Sequence, residues 1–150
     1  MSLGSNMGNR WDYLTTAVST LTIGRNHRIS DVFETAPWGG VEQDPFWNLV
    51  LELTTETDAF ELLAQCHATE AAAARTREVR WGPRTLDVDI IVIEGESYDT
   101  PDLVVPHPRY RQRRFVLAPL AQLRPDLVSA TELTEADGDV VVLGTLESLH

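Results

Sequence analysis

The spacing of apolar residues predicts two main helices. Between residues 10 and 21 they recur at Trp11, Leu14, Ala17, Val18 and Leu21, which places them on one face of a helix. Asp58, with Glu61 three residues later, has the pattern of a helix N-cap, so a longer helix is expected over residues 58–74. The apolar stripe predicted for this second helix comprises Phe60, Leu63, His67 and Ala71.

Between these helices the pattern predicts short strands and two long loops. Strands are expected at residues 1–4, 27–34, 47–53, 88–93 and 102–105, with a weak signal at 140–143 and a short helix over 115–123. The segments 35–45 and 75–86 are too irregular for either element, and long loops in compact domains usually carry function. The order β-α-β-β-α-β predicts an α+β fold of the ferredoxin-like kind: helices packed on an antiparallel sheet, with long active-site loops, in one domain over residues 1–150.

Composition narrows the class of protein. The 150 residues contain 43% hydrophobic and 23% charged residues, ordinary values for a globular protein. No apolar run reaches the length of a membrane span, and Cys66 is the single cysteine, so neither a membrane partner nor an internal disulfide is expected. The net charge of −11 argues against nucleic-acid binding. We expect a cytoplasmic monomer.

The distribution of cations is less ordinary. The chain contains no lysine, and eight of its arginines lie between residues 75 and 114. Surface ion pairs are the usual explanation of such a cluster. The absence of lysine excludes a P-loop and a protein-kinase site, since both place a lysine on the phosphates. Any ATP chemistry would therefore depend on arginine and metal.

Asp87 and Asp89 form a pair of carboxylates at the start of an apolar strand. Their side chains leave the same face, separated by roughly 6.5–7 Å of strand rise. A divalent cation would relieve their mutual repulsion, and Mg²⁺ typically combines one or two carboxylates with phosphates and water. The alternatives are salt-bridged aspartates at a strand end and a glycoside-hydrolase pair. A glycoside-hydrolase site would not explain the cluster of arginines nearby.

The segment Arg80-Trp81-Gly82-Pro83-Arg84-Thr85-Leu86-Asp87-Val88-Asp89-Ile90 resembles the signature of the 6-hydroxymethyl-7,8-dihydropterin pyrophosphokinase family. The resemblance extends over about residues 2–125. It includes the Gly-Ser-Asn turn at residues 4–6, Thr-Ala-Pro-Trp-Gly at 35–39, Phe-Trp-Asn at 46–48, Pro-His-Pro at 106–108 and Arg-Arg-Phe-Val-Leu at 113–117.

The resemblance implies an enzyme of folate biosynthesis. Its reaction would transfer the β,γ-pyrophosphoryl group of ATP, the co-substrate, to the hydroxymethyl group of the pterin and release AMP. Two Mg²⁺ ions held by Asp87 and Asp89 are implied. The residues implied to contact ATP are His67, Glu70, Arg77, Trp81, His107 and Arg113, and those implied in catalysis are Arg75, Arg84, His107 and Arg113.

A pterin is a flat heterocycle that needs stacking surfaces and hydrogen bonds along its edge. The resemblance implies that Phe46 and Phe115 stack on it and that Asn48 reads its edge. Further pterin contacts are implied for Thr35, Pro37, Trp38, Trp81 and Arg84. The loops 35–46 and 75–86 are expected to close over both substrates and exclude water.

Two other functions are compatible with this fold class, and the sequence argues against both. A nucleic-acid-binding domain of ferredoxin-like fold would need a basic balance and aromatic residues on its sheet, and the net charge opposes it. A catalytically inactive pterin- or nucleotide-binding module would have lost Asp87, Asp89, Arg75 or His107, all of which are present. No side chain stands out as a strong general base, so catalysis by positioning and electrostatics is expected.

Overall fold

A computed structural model describes residues 1–36, 44–73 and 85–150. Its strands are β1 (Ser2–Ser5), β2 (Asn26–Ile29), β3 (Val32–Thr35), β4 (Phe46–Thr54), β5 (Asp87–Asp89), β6 (Tyr98–Asp99), β7 (Val104–Val105) and β8 (Val140–Gly144). Its α-helices are α1 (Arg10–Leu21), α2 (Ala59–Ala73), α3 (Arg114–Leu123) and α4 (Ala130–Glu135). Single turns of 3-10 helix span Tyr110–Gln112, Pro125–Leu127 and Glu147–Leu149.

The strands form an antiparallel sheet in the order β5-β1-β4-β3-β8. The strand β1 lies between β4 and β5, with Leu3 opposite both Leu49 and Val88. The end of β4 pairs with β2 and its beginning with β3. The helices α1 and α2 pack on the sheet, as the ferredoxin-like α+β prediction requires, so the predicted fold class is confirmed.

Alternating side chains of the sheet supply two separate cores. Leu3, Leu49 and Val88 point to one face, where they pack with buried residues of α1 and α2. Val50 points to the opposite face and packs with Val116 and Leu117 of α3. The helix α3 therefore covers the second face next to Val50. The preceding part of β4, toward Phe46, carries the polar and aromatic residues of the predicted site on that same face.

The strand predicted over residues 27–34 is interrupted. Ser30 takes the place of a regular pairing residue: its backbone N–H donates to the Val50 carbonyl at 3.0 Å, and its hydroxyl accepts the Val50 N–H at 2.9 Å. The hydroxyl itself donates to the Asp31 carbonyl at 2.8 Å. Because a side chain replaces a backbone acceptor here, the segment divides into β2 and β3, and both still pair with β4.

Two other predicted strands are shorter than expected. The strand predicted over 88–93 is restricted to β5, because the chain then leaves β1 and the Ile91 carbonyl accepts the His107 N–H at 2.8 Å. The strand predicted over 102–105 is restricted to β7, which pairs with β6, a two-residue strand that the sequence analysis does not predict. The weak strand signal at 140–143 is confirmed as β8.

The helix predictions are largely confirmed. The helix α1 buries Leu14, Ala17, Val18 and Leu21 as predicted, and the Asp58 carboxylate accepts the Phe60 N–H at the start of α2 at 3.0 Å. The predicted stripe of α2 is wrong. Its buried face consists of Ala59, Leu62, Cys66 and Thr69, whereas Phe60 and His67 are exposed.

Two further features concern where ligands or membranes could act. None of the helices in the described part of the chain is long and apolar enough to cross a membrane. A groove of about 630 Å³ opens beside the end of β4 and is lined by Leu51–Thr55, by residues 90–96 and by the C-terminal end of α3. None of the predicted site residues within the described ranges lines this groove.

Candidate active site

The candidate site is built on one row of residues across three strands. Asn48 of β4 lies opposite Gly4 of β1, and Gly4 lies opposite Asp87 of β5. Residues opposite each other in an antiparallel sheet point to the same face. Because neighbouring strands lie about 4.8 Å apart, the backbones at Asn48 and Asp87 are separated by roughly 9–10 Å. The row thus places an amide and a carboxylate on the α3 face of the sheet, two strands apart.

Gly4 has the middle position in this row for a steric reason. A Cβ atom built on Gly4 would lie 2.6 Å from Asn48 Oδ1 and 3.7 Å from Phe46 Cδ1. Any larger residue would displace the Asn48 amide, which lies over the β1 backbone. On the other side, Asn48 Nδ2 donates to the Thr35 hydroxyl at 3.3 Å. Gly4 and Thr35 together fix the position of the amide.

The aromatic part of the predicted site adjoins this row. Phe46 lies opposite Thr35 and two residues before Asn48, so all three side chains share one face of the sheet. Thr35 and Asn48 are buried, at 4% relative exposure each, while Phe46 is half-buried. A partly open ring beside a buried amide suits a flat polar heterocycle, which can stack on the ring and bond to the amide.

The carboxylate pair lies on β5 as the sequence predicts. Val88 points into the core with α1 and α2, so Asp87 and Asp89 point to the α3 face. Asp87 is half-buried and Asp89 exposed. Between them, the Val88 N–H donates to Glu70 Oε2 of α2 at 3.1 Å. Glu70, implied by the resemblance as an ATP contact, therefore also ties the middle of this edge strand to a helix.

The donor set fits Mg²⁺. Among the described residues there is no group of three or more His, Cys, Asp or Glu side chains that could hold a metal ion. Two hard carboxylates on one face match an ion that takes its remaining ligands from phosphate and water, as Mg²⁺ does in nucleotide sites. Asp87 and Asp89 are the residues that would hold it.

A backbone contact fixes the tautomer of the neutral His107 ring. The Arg109 backbone N–H donates to its Nδ1 at 3.2 Å, so in the neutral imidazole the proton resides on Nε2. Burial lowers the pKa of His107, and the charges of Arg113 and Arg109 lower it further, although Asp89 opposes them. The ring is therefore kept neutral as a hydrogen-bond donor near Asp89.

Arg113 and Phe115 lie at the beginning of α3. Arg113 is the residue before the first helical turn, and its Cζ atom lies 5.6 Å from the centroid of the Phe115 ring. Phe115 is half-buried at the edge of the core that α3 forms with the sheet. The predicted phosphate-binding arginine and the predicted stacking ring are thus in contact.

Six of the predicted site residues lie outside the described residues: Pro37, Trp38, Arg75, Arg77, Trp81 and Arg84. The closing motion predicted for the loops 35–46 and 75–86 falls largely there as well. His67 is described and lies on the exposed side of α2.

Sequence reasoning missed the role of the Gly-Ser-Asn turn and of Arg10. Asn6 Nδ2 donates to the Asp44 carbonyl at 3.0 Å, and Arg10 Nη1 donates to the Pro45 carbonyl at 2.7 Å. The Arg10 guanidinium also lies 4.4 Å from the centroid of the Trp47 ring. These contacts fix the chain where it enters β4, immediately before Phe46. The signal was present as a glycine-and-asparagine turn, but its partners are about forty residues away in sequence.

The chain is an α+β protein of ferredoxin-like fold, with an aromatic ring and an amide on the same sheet face as two carboxylates. The sequence model of the family described as 7,8-dihydro-6-hydroxymethylpterin-pyrophosphokinase matches residues 1–125. The chain belongs to this family.

Curated relatives agree with the family assignment. The chain is 41% identical over 147 residues to a 2-amino-4-hydroxy-6-hydroxymethyldihydropteridine pyrophosphokinase of Bacillus subtilis, covering 94% of this chain and 86% of the relative. It is 42% identical to the protein of the same name from Methylorubrum extorquens, covering 88% and 85%. It is 39% identical to the bifunctional protein FolKE of Lactococcus lactis, of which the alignment covers 36%.

The contact between Gly4 and Asn48 gives the first prediction. Gly4→Ala should lower the free energy of unfolding by about 1–3 kcal/mol, because the new methyl group meets Asn48 Oδ1 in a packed environment. In an Asn48→Ala background the same substitution should cost much less, since the contact has been removed. Urea denaturation of the four proteins measures both values. Equal costs in the two backgrounds would show that the close contact is not responsible.

The environment of His107 gives the second prediction. Its ring should titrate below the ordinary histidine pKa of about 6.5, as followed by NMR of the ring protons. Because the folded state favours the neutral ring, the unfolded state takes up the proton first as the pH falls. The free energy of unfolding should therefore decrease below about pH 6.5. Asp89→Asn removes the opposing negative charge and should lower the His107 pKa further. A His107 pKa above 6.5, or an upward shift in Asp89→Asn, would contradict this arrangement.

Proposed function

We propose that this protein transfers the β,γ-pyrophosphoryl group of ATP to the hydroxymethyl group of 6-hydroxymethyl-7,8-dihydropterin, releasing AMP, as a step of folate biosynthesis. The observation that carries the proposal is the row Asn48–Gly4–Asp87. It puts the Asn48 amide and the Asp87 carboxylate on the two strands that flank β1, on one face of the sheet, where the amide would bind a heterocycle and the carboxylate a metal ion. Family membership supplies the substrates that fit these two neighbouring surfaces.

The pterin would occupy the aromatic side of the row. Phe46 and Phe115 would stack on the ring, and Asn48, held by Thr35, would bond to its edge. The position of Gly4 matters here, because a fixed amide discriminates between donor and acceptor patterns better than a mobile one. Thr35 at the end of β3 would complete the pocket, together with Pro37 and Trp38, which follow it in sequence.

The triphosphate would occupy the carboxylate side. Asp87 and Asp89 would hold two Mg²⁺ ions, which supply charge neutralisation on the phosphate oxygens when bound. In the reaction, the pterin hydroxyl oxygen forms a bond to the β-phosphorus, and the bond from that phosphorus to the α,β-bridging oxygen breaks. AMP leaves with the bridging oxygen, which keeps the electron pair of the broken bond, and the hydroxyl proton is released with the products.

The remaining polar residues would position the phosphates. His107, with its proton on Nε2, would donate a hydrogen bond rather than accept the substrate proton. Arg113 would add a permanent charge on the same side, and guanidinium groups bind phosphate oxygens bidentately. Arg75, Arg77, Arg84 and Trp81 would contribute from the segment before β5, where the sequence predicts a loop. Glu70 would support the site by tying Val88 in place, and His67 would reach ATP only through the exposed side of α2.

We further propose that residues 1–150 act as a single domain, as a monomer in the cytoplasm. Catalysis in this account comes from positioning two substrates and from electrostatic stabilisation. The loops at 35–46 and 75–86 would exclude water, so that the pyrophosphoryl group reaches the pterin rather than a water molecule.

The proposal predicts AMP formation when the protein is incubated with ATP, Mg²⁺ and the pterin. Asp87→Asn and Asp89→Asn should each reduce kcat/KM at least about 100-fold, because metal binding contributes several kcal/mol to the transition state. Chromatography of the nucleotides gives the rates. The control is Asp99→Asn, an exposed aspartate on β6, which should retain full activity.

Two results would contradict the proposal in different ways. A wild-type protein that forms no AMP above background would exclude the enzymatic function. Wild-type AMP formation with undiminished activity in both aspartate variants would mean that the metal is held elsewhere.

A further inference from the structure

The last part of the described chain packs against the segment that contains Arg113 and Phe115. The family match ends at residue 125, so the helix α4 and the turn after it lie beyond the matched region. We call the segment Ala130–Asp139 the C-terminal brace. It contacts the 3-10 turn at Tyr110–Gln112 and the first turn of α3 through backbone, charged and apolar groups.

Arg114 makes the central contacts with the brace. Its Nε donates to the Leu133 carbonyl at 3.1 Å, its Nη2 to the Thr134 carbonyl at 2.8 Å, and its Nη1 to the Gly138 carbonyl. The carbonyls of Leu133 and Thr134 belong to the last turn of α4, where helical partners are lacking and a cation is favourable. One guanidinium thus satisfies the end of α4 and the turn that follows.

The backbone adds a second set of contacts at the same place. The Asp137 N–H donates to the Gln112 carbonyl at 2.8 Å, and the Arg114 N–H donates to the Asp137 carbonyl at 3.1 Å. Arg113 lies between these two bonds and pairs with Asp137 in an isolated parallel bridge. Its backbone is therefore held on both sides by a single residue of the brace.

Apolar and charged groups complete the attachment. Ala136 is buried in the same core as Tyr110 and Val116, and Leu133 packs at its edge. Arg111 bonds to the Glu132 carboxylate at 3.0 Å. Of the arginines clustered in the sequence, Arg111 and Arg114 thus serve the fold, whereas Arg113 lies between them with its guanidinium over Phe115.

We infer that the C-terminal brace, attached mainly through Arg114, positions Arg113 and Phe115 for the reaction, which makes Arg114 a positioning residue. The inference rests on the proposed function. Arg113 and Phe115 flank Arg114 directly, so a shift of the Arg114 backbone displaces both, and with them one phosphate contact and one stacking surface. A displacement of about 1 Å at such groups can reduce the rate about 100-fold.

The test compares Arg114→Ala with Arg124→Ala in steady-state kinetics with ATP, Mg²⁺ and the pterin. Arg124 is a matched control: it lies just beyond the other end of α3, its side chain is 28% exposed against 25% for Arg114, and its partners are Asp126 and Glu52. Arg114→Ala should raise KM for the pterin and reduce kcat/KM about 10- to 100-fold. Arg124→Ala should change KM and kcat/KM less than about twofold, because a surface ion pair far from the site contributes little.

Arg114→Lys separates positioning from folding. A lysine keeps the charge but cannot span three carbonyls in a fixed fork, so its kcat/KM should lie between those of wild type and Arg114→Ala. Hydrogen exchange gives a readout that does not depend on turnover: the Arg114 and Asp137 amides should exchange faster in Arg114→Ala while those of α1 remain protected. Circular dichroism fixes a temperature at which all the proteins are folded.

The outcomes are distinguishable from those of the proposed function. If wild type forms AMP and Arg114→Ala keeps wild-type kcat/KM and exchange, the inference is wrong and the proposed function stands. Equal losses in Arg114→Ala and Arg124→Ala would also overturn it, because a general loss of stability would then explain both. If wild type forms no AMP, the proposed function fails, and unchanged exchange at Arg114 and Asp137 would overturn the brace as well.

Discussion

The double pairing of β1 is the constraint on which the site depends. This strand has four residues, yet it is hydrogen-bonded to β4 on one side and to β5 on the other. The register aligns Asn48, Gly4 and Asp87, and the alternation of side chains puts them on one face. A shift of one residue in either pairing would turn the amide or the carboxylates into the opposite core. The relative placement of the Asn48 amide and the Asp87 carboxylate is thus set by one short strand.

The two cores explain why this face is available. Leu3, Leu49 and Val88 commit one face to α1 and α2, while Val50 begins a second core under α3. The helix α3 begins at Arg114, so its first turn brings Phe115 to the edge of that core, and Phe46 on the sheet is half-buried. The start of this helix is also fixed by hydrogen bonds from Arg114 to the Asp137 and Gly138 carbonyls. Packing on one side of the helix start therefore fixes the chemical groups on the other.

Two features of the candidate site could be predicted from local sequence. The same-face placement of Asp87 and Asp89 follows from strand periodicity, and the short helix before Pro125 follows from its apolar pattern. The contact between Gly4 and Asn48 could not be predicted in this way, because it depends on a register between residues 44 positions apart. The role of Arg114 was equally hidden: in sequence it is one more arginine in a cluster.

The errors have physical causes as well. The helix α2 is rich in alanine and leucine on several sides, so periodicity alone could not decide which stripe is buried; packing against α1 and β5 selected Leu62 and Cys66. The expected strand at 27–34 was divided because the Ser30 hydroxyl takes over a backbone hydrogen bond of Val50. Neither the buried stripe of α2 nor the interruption at Ser30 could be predicted from adjacent residues in the sequence.

The most direct test of the shared sheet face uses Mn²⁺ as a paramagnetic substitute for Mg²⁺, with a non-hydrolysable ATP analogue, in NMR of the labelled protein. We expect strong line broadening at the Gly4 amide, the Asn48 side-chain amide and the His107 ring. Gly4 pairs with Asp87, Asn48 lies one strand further on the same face, and the His107 ring is close enough to Asp89 for that charge to affect its pKa. The broadening should disappear in a protein that carries both Asp87→Asn and Asp89→Asn. Broadening centred instead on the groove lined by Leu51–Thr55 and residues 90–96, or unchanged in the double variant, would contradict the account.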